Sequence, residues 1–252
     1  MKCTRISLIA TLLLTLPAYG GRSFNGSTDV ITVPGVSNAI DLTGTQATWS
    51  CWFKLTSLPG SNTVAPFTKN SNTGIGYAMT ISVSGFTNEL QFYIYISVAE
   101  NHNHDVTYST PVTTNTWYNA VATYQNNNNL ALYVNGVLVA TDATVGSTGT
   151  LVSSGGSMLI GGTPQNLGCC NFPGTVAEIA IWNTRLSAGQ LAALGTVCPV
   201  GASARRMSLP PPVGYWPLWG ASGSSIEPDL SGNKITGTLT GTTQGNHPPC
   251  TQ

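Results

Sequence analysis

In L90-Q-F-Y-I-Y-I-S-V98, apolar and polar side chains alternate at every residue. Successive side chains of a β-strand point to opposite faces, so Leu90, Phe92, Ile94, Ile96 and Val98 share one face. Gln91, Tyr93, Tyr95 and Ser97 share the other. A helical period would scatter both sets. A strand with one apolar and one polar-aromatic face must pair sideways and bury one side, as in half of a sandwich. In L130-A-L-Y-V-N-G-V-L-V-A140, Asn135-Gly136 separates two apolar arms. A type I′ turn needs positive φ at both central residues, so this pair predicts a hairpin. Further strands are expected at Val30–Val33, Thr48–Leu55, Tyr77–Val83, Trp117–Tyr124, Ser157–Ile160 and Thr175–Trp182, with links rich in Gly, Asn, Ser and Thr. One short helix interrupts them. Ser187 and Gln190 match a capping box, and Gly195 follows Leu191–Leu194 as a stop. Interleaved strands without long helices predict an all-β fold, a two-sheet antiparallel jelly-roll sandwich with one short helix.

Residues 1–20 read as a secretory leader: Lys2 and Arg5, then the apolar run Ile6–Leu16, then Ala18-Tyr19-Gly20 at the cleavage positions. The run is too short to span a bilayer, and no later segment predicts a transmembrane span. The chain is therefore expected to be secreted or held at the cell surface. Without the leader, seven basic side chains face nine acidic ones. Only 7% of the chain is charged, against roughly 25% in an ordinary domain. No basic face exists to gather phosphates, which argues against nucleic acid as a partner. About 230 remaining residues suit one large sandwich.

Removing Cys3 leaves five of the six cysteines, an odd number in an exported chain. That implies a buried thiol or a bridge between chains, the second giving a homo-oligomer. Cys51, inside a predicted strand, reads as the buried thiol. Cys198 and Cys250 bracket the C-terminal segment, Cys169 and Cys170 are adjacent, and all four are disulfide candidates. In E100-N-H-N-H-D105, read as a hairpin tip, His102 and His104 with Asp105 or Glu100 could hold a transition metal, or could simply form a polar tip. Asn25-Gly26-Ser27 is an N-glycosylation sequon.

An ordered set of segments resembles the laminin G-like jelly rolls of the concanavalin A-like lectin and glucanase superfamily. These are W117-Y-N-A-V-A-T-Y124, L130-A-L-Y-V-N-G136, L159-I-G-G162, F172-P-G-T-V-A-E-I-A-I-W182 and R185-L-S-A-G-Q-L191, with S23-F-N-G-S-T-D-V-I-T-V-P34 and A47-T-W-S-C-W-F-K54 before them. Coverage runs from about Ser23 to Gly195. The resemblance implies two packed antiparallel sheets with binding loops at a rim, and Trp117 in the core. It does not imply one function, because this fold hosts lectins, adhesion modules and glycosidases. Lectin-like relatives hold calcium in rim loops, which makes calcium a candidate cofactor and Asp29, Asp105 and Asp142 candidate ligands.

Glucanases of this superfamily carry an E-x-D-x-E strand. If Glu178 begins that pattern here, Ala180 and Trp182 replace the other two acids. Retaining hydrolysis needs two carboxyl groups roughly 5–5.5 Å apart, so catalysis is not expected. Sugar recognition needs aromatic faces beside amides and carboxylates. Tyr93, Tyr95 and Tyr133 supply the first, Asn101 and Asn103 the second, while outward tyrosines such as Tyr93 and Tyr95 also serve cross-strand pairing alone. The expected organisation is a leader (1–20), a jelly-roll core (21–197) and a C-terminal segment (198–252). Within the last, G214-Y-W-P-L-W-G220 to G237-T-L-T-G241 resembles a stretch that opens many relatives, so it is expected to add a permuted strand beside the N-terminal one, the alternative being a separate C-terminal hairpin or a loose tail. The chain reads first as a non-catalytic binding module for a glycan or an extracellular protein. A structural subunit of a surface assembly ranks second and a glycoside hydrolase third.

Overall fold

The computed structural model describes residues 19–35, 38–60, 62–70, 75–82, 88–95, 103–126, 129–143, 149–163, 170–195 and 209–248. In chain order the strands are β1 (Tyr19–Asn25), β2 (Val30–Val33), β3 (Gln46–Leu55), β4 (Val64–Asn70), β5 (Gly76–Ser82) and β6 (Glu89–Tyr95). Next come β7 (Asn103–Tyr108), β8 (Tyr118–Gln125), β9 (Asn129–Val134), β10 (Val137–Asp142), β11 (Met158–Ile160) and β12 (Pro173–Trp182). The helix α1 (Ala188–Leu194) precedes β13 (Gly214–Trp216), β14 (Ile226–Glu227), β15 (Gly237–Thr240) and β16 (Thr243–Asn246).

These strands form two antiparallel sheets of eight, the expected all-β sandwich. The first runs β10-β9-β8-β3-β12-β1-β16, with β13 also on β12, and the second runs β14-β15-β2-β11-β4-β5-β6-β7. Between them lies a dry core around Trp49, whose ring is 4.9 Å from that of Phe92 and 5.2 Å from that of Tyr77. The alternation read in β6 holds: Leu90, Phe92 and Ile94 are buried, while Gln91, Tyr93 and Tyr95 are half-buried on the other face.

The C-terminal segment contributes to both sheets. β16 pairs with β1, β15 pairs with β2, and β13 pairs with Ile179–Ile181 of β12. β1 takes Pro173–Val176 of that same strand, so β1 and β13 lie end to end along one side of β12. β1 opens at Tyr19, just inside the expected leader, whose residues 1–18 lie outside the described set.

Two local signals meet in space. Asn135 and Gly136 take φ of 50° and 79°, as the hairpin requires. The capping box forms, with Ser187 N–H donating to Gln190 Oε1 at 2.8 Å. Gly195 ends α1 at φ −75°, not in the left-handed region. Glycine is needed there for another reason: a Cβ would lie 2.5 Å from the nitrogen of Gly136. The hairpin turn and the helix stop press on each other.

Candidate functional site

The first sheet turns its outer face toward α1 and the C-terminal segment. Val121, Ala180, Trp182, Leu186, Leu191, Leu194 and Tyr215 form a buried cluster there, with Tyr133, Leu209 and Leu230 packed against it. Trp182 Nε1 donates to the Pro210 carbonyl at 2.8 Å, pinning the cover. Glu178 lies under this cover because of a β-bulge. Opposite β3, the register slips between Ala177 and Ala180, and Glu178 takes φ 54°. Without the extra residue, Glu178 would face the apolar core and Ile179 would face out. The bulge restores Ile179 to the core and turns the carboxylate outward, a use to which bulges are well suited. It falls where β12 changes partner from β1 to β13.

Tyr215 Oη donates to Glu178 Oε2 at 2.6 Å, and His247 Nε2 lies 3.5 Å from Oε1. Beside them, Arg22 Nε donates to Glu227 Oε2 at 2.9 Å, with side chains 1% and 0% exposed. The Gly220 N–H donates to the other oxygen of Glu227 at 3.1 Å. Burial pushes the Glu227 carboxyl up, against the pull of Arg22. Both glutamates are buried, so neither is presented to a substrate as the acid or nucleophile of hydrolysis must be. Trp117, expected in the core, is half-buried instead, with Lys54 Nζ 5.3 Å from its ring centre.

The outer face of the second sheet differs. Its register aligns Thr238, Thr32, Leu159, Thr68, Ala78, Tyr93 and Asp105 in one row across the strands. At one end of the row stand half-buried Tyr93 and Tyr95, beside exposed Asp105. Gln91 Nε2 donates to Asp105 Oδ2 at 3.0 Å, which leaves carboxylate lone pairs for another donor. Toward the other end lies a groove of about 340 Å³, lined by Ser27, Thr28, Val30, Thr32, Leu159, Thr163 and Asn171. Between them Thr68 and Ala78 are buried, and Thr68 Oγ1 donates to the Gly162 carbonyl at 3.0 Å. These two buried positions separate the two patches along the row.

The rim of the groove is braced by Asn25. Its Oδ1 accepts from the N–H groups of Ser27, Thr28 and Asp29 at 2.8, 2.9 and 3.2 Å, and its Nδ2 donates to Thr28 Oγ1 at 3.0 Å. Asp29 accepts the Asn25 N–H at 3.0 Å and is buried, so its carboxylate closes the turn. Asn171 Nδ2 donates to the Ser27 carbonyl.

The metal candidates do not converge. His104 and Asp105 lie within β7, not at a tip, and point to opposite faces. His104 is buried inward, where Nδ1 lies 2.9 Å from Asp142 Oδ2 on β10. That contact ties the edge strands of the two sheets together, while Asp105 is exposed outside. No group of three His, Cys, Asp or Glu side chains positioned for a metal occurs among the described residues. Asn101, His102, Cys169, Cys198 and Cys250 lie outside those residues, as does the Asn103 side chain, although the backbone of Asn103 pairs with Tyr95. Cys51 is a free thiol, fully buried, and burial raises its pKa far above the usual thiol range. Cys170 adopts φ 75°. Tyr133 lies on the first sheet, away from Tyr93 and Tyr95. Among the described residues no helix is long and apolar enough to cross a membrane.

A family model described as the concanavalin A-like lectin/glucanases superfamily matches residues 25–192. No curated protein matches the chain. Among solved structures, a Bacteroides ovatus protein provisionally named as carbohydrate binding superposes with TM-score 0.67 at 19% identity, covering 94% of this chain and 62% of its own. The chain thus spans under two thirds of that protein. A heptameric SAP-like pentraxin from Limulus polyphemus gives TM-score 0.53 at 16% identity, covering 71% of this chain and 82% of its own. The CBM40 module of a Ruminococcus gnavus sialidase, solved with α2,3-sialyllactose, gives 0.50 at 17% identity, covering 70% and 96%. At these identities the likeness is one of fold.

Proposed function

The chain belongs to the concanavalin A-like lectin/glucanase superfamily, and on that premise we propose that it is an exported, non-catalytic glycan-binding module. The observation carrying this reading is the contrast between its two outer faces. The first sheet is covered and its glutamates are buried. The second presents Tyr93 and Tyr95 beside the Gln91–Asp105 pair. A tyrosine ring stacks on the C–H face of a pyranose, and the amide and carboxylate take its hydroxyl groups. The carbohydrate-binding name of the Bacteroides protein and the sialyllactose held by the CBM40 module support a glycan over a protein ligand. A glycan array run with calcium and with chelator tests the reading. Selective binding that falls on Tyr93→Ala or Tyr95→Ala supports it. Loss with chelator alone would move the site to a calcium-holding rim loop, and no binding in either buffer would overturn it.

Export and domain organisation belong to the same proposal. The basic, apolar and small-residue layout of residues 1–20 supports a leader. Because Tyr19 opens β1, the processed N-terminus of the secreted protein is expected at or before Tyr19, as N-terminal sequencing would report. Pairing of β13, β15 and β16 with the rest of both sheets supports one unit across residues 21–252. Disulfides among Cys169, Cys170, Cys198 and Cys250 remain part of the proposal, checked by mass mapping. A second reading, a subunit of a surface assembly, draws on the edge strand β10, where Val137 and Leu138 are 64% and 50% exposed. Unprotected apolar edges pair with further chains. Light scattering and non-reducing gels separate a monomer from an assembly.

A further inference from the structure

We infer that the tyrosine face selects saccharides by charge, taking amino sugars in their ammonium form ahead of neutral sugars and turning away acidic ones. This rests on the glycan-binding reading above and adds a ligand class to it. Strand alternation sets the face. Glu89, Gln91, Tyr93 and Tyr95 are half-buried on the outer side of β6, between the buried Leu90, Phe92 and Ile94. β7 ends the strand order of this sheet and sets Thr107 opposite Gln91 and Asp105 opposite Tyr93. From end to end β6 spans about 20 Å at the usual rise per residue, room for a trisaccharide laid along the strand.

Two carboxylates stand on this face with no cation to match them. Asp105 is exposed and Glu89 half-buried, and neither forms an ion pair among the described residues. The described basic side chains are all committed elsewhere. Arg22, Lys69 and His104 are buried against Glu227, Asp41 and Asp142, and His247 lies beside Glu178. Lys54 packs on Trp117 and Arg185 donates to Gln125, both at the first sheet. Lys234 stands exposed between β14 and β15, at the opposite edge of the second sheet.

A face of one sign gathers cations and repels anions. An ammonium group brings three N–H donors and a carboxylate offers only acceptors, so the two form charge-assisted hydrogen bonds. Asp105 keeps lone pairs for such a donor after accepting Gln91 Nε2 at 3.0 Å. The tyrosine rings act in the same direction, because the negative face of a π-system attracts a cation. A sugar carboxylate meets the opposite field. Like charges about 4 Å apart in water repel enough to weaken binding about fivefold, an effect that fades with added salt. α2,3-Sialyllactose, the ligand of the CBM40 module, is therefore a poor ligand for this face.

The test is calorimetric titration of the full chain at low salt and mildly acidic pH, where the sugar amine is protonated. The probes are the β1,4-linked trimers of glucosamine and of glucose, with α2,3-sialyllactose as the acidic saccharide. The two trimers differ only in carrying an ammonium or a hydroxyl group on each ring, so the ratio of their affinities isolates the charge. The inference requires the glucosamine trimer to bind at least about fivefold more tightly than the glucose trimer. It also requires that ratio to fall toward unity in high salt and with Asp105→Asn, and both trimers to weaken with Tyr93→Ala; thermal melts confirm that the variants fold. A ratio near unity in the wild type, with both trimers lost on Tyr93→Ala, would overturn the inference and leave the glycan-binding reading intact. A ratio that survived Asp105→Asn combined with Glu89→Gln would place the cation elsewhere and overturn it as well. So would sialyllactose that bound as tightly as the glucosamine trimer and was lost with Tyr93→Ala. Binding of none of the three would overturn the inference, and the glycan array would then decide the broader reading.

Discussion

The outer faces of the two sheets are built from the same strand alternation and end in opposite states. On the first, β12 places Ala180 and Trp182 outward, and α1 with the C-terminal segment covers them. Two glutamates are enclosed there, one held by Tyr215 and His247 and one by Arg22. On the second, outward positions carry threonines, tyrosines and a groove. A strand resembling the working strand of a glucanase is thus a covered seam here, and the open outer face, where we propose recognition, is on the other sheet. What decides a face's role here is its cover, more than its own residues.

That comparison breaks most severely if the cover is removed. Deleting residues 209–252 takes away Tyr215, Trp216 and Leu218, all buried, and burial of each such side chain contributes about 1.5–3 kcal/mol. It also unpairs β1, β2 and part of β12. The truncated chain is expected to lose its cooperative thermal transition and near-UV circular dichroism. A truncated chain that kept both would show the cover to be an accessory.

Arg22→Ala is expected to cost about 3–5 kcal/mol in urea denaturation, because it strands a buried carboxylate. Glu227 gives the same seam a pH signature. Its folded pKa is raised by burial above an unfolded value of about 4.3. Its contribution is therefore complete below about pH 4.3 and is lost as pH rises through the folded value. Measured against Glu227→Gln, the wild type should lose relative stability as pH rises above about 4.3. The opposite trend would mean that Arg22 outweighs burial. Tyr215→Phe is expected to be milder, about 1–3 kcal/mol, since it removes one donor from Glu178.

The legible parts of this molecule were those fixed by near neighbours. Alternation in β6, positive φ at Asn135-Gly136 and the Ser187–Gln190 capping box each depend on a few consecutive residues, and each formed as read. Glu178 could be read as strand but not as bulged, because the bulge exists where β12 exchanges β1 (Tyr19–Asn25) for β13 (Gly214–Trp216), both distant in the chain. His104 and Asp105 were read as a tip, yet β7 pairs as far back as Asn103, and that pairing sends them to opposite faces. Gly195 signalled a helix end correctly while its physical reason, contact with Gly136, was non-local. Tyr133 was placed on the polar side of its strand, but sequence could not show that α1 and Leu230 would lie over that side. The groove went unread because its walls come from three separate stretches, 27–32, 159–163 and Asn171. The signal within reach was N25-G-S-T-D29 followed by outward Val30 and Thr32, a turn rich in hydroxyls running into a strand.

The smallest expected effect on stability is at the proposed recognition face, and it sharpens the comparison most. Tyr93 and Tyr95 are half-buried on the outward side of β6, where cross-strand contacts contribute about 0.2–1 kcal/mol. Alanine at either position should therefore leave the urea midpoint nearly unchanged. If the face works by ring stacking, the same variants should weaken glycan binding about tenfold, the order expected for losing one aromatic contact. Substitutions on the first sheet should divide the other way, with Tyr215→Phe lowering stability and leaving the affinity of the folded fraction intact. A Tyr93 variant that lost stability and binding together would mean that Tyr93 shapes the sheet and does not touch the sugar. The separation of the two readouts, face by face, is what the contrast between a sealed and an open sheet demands.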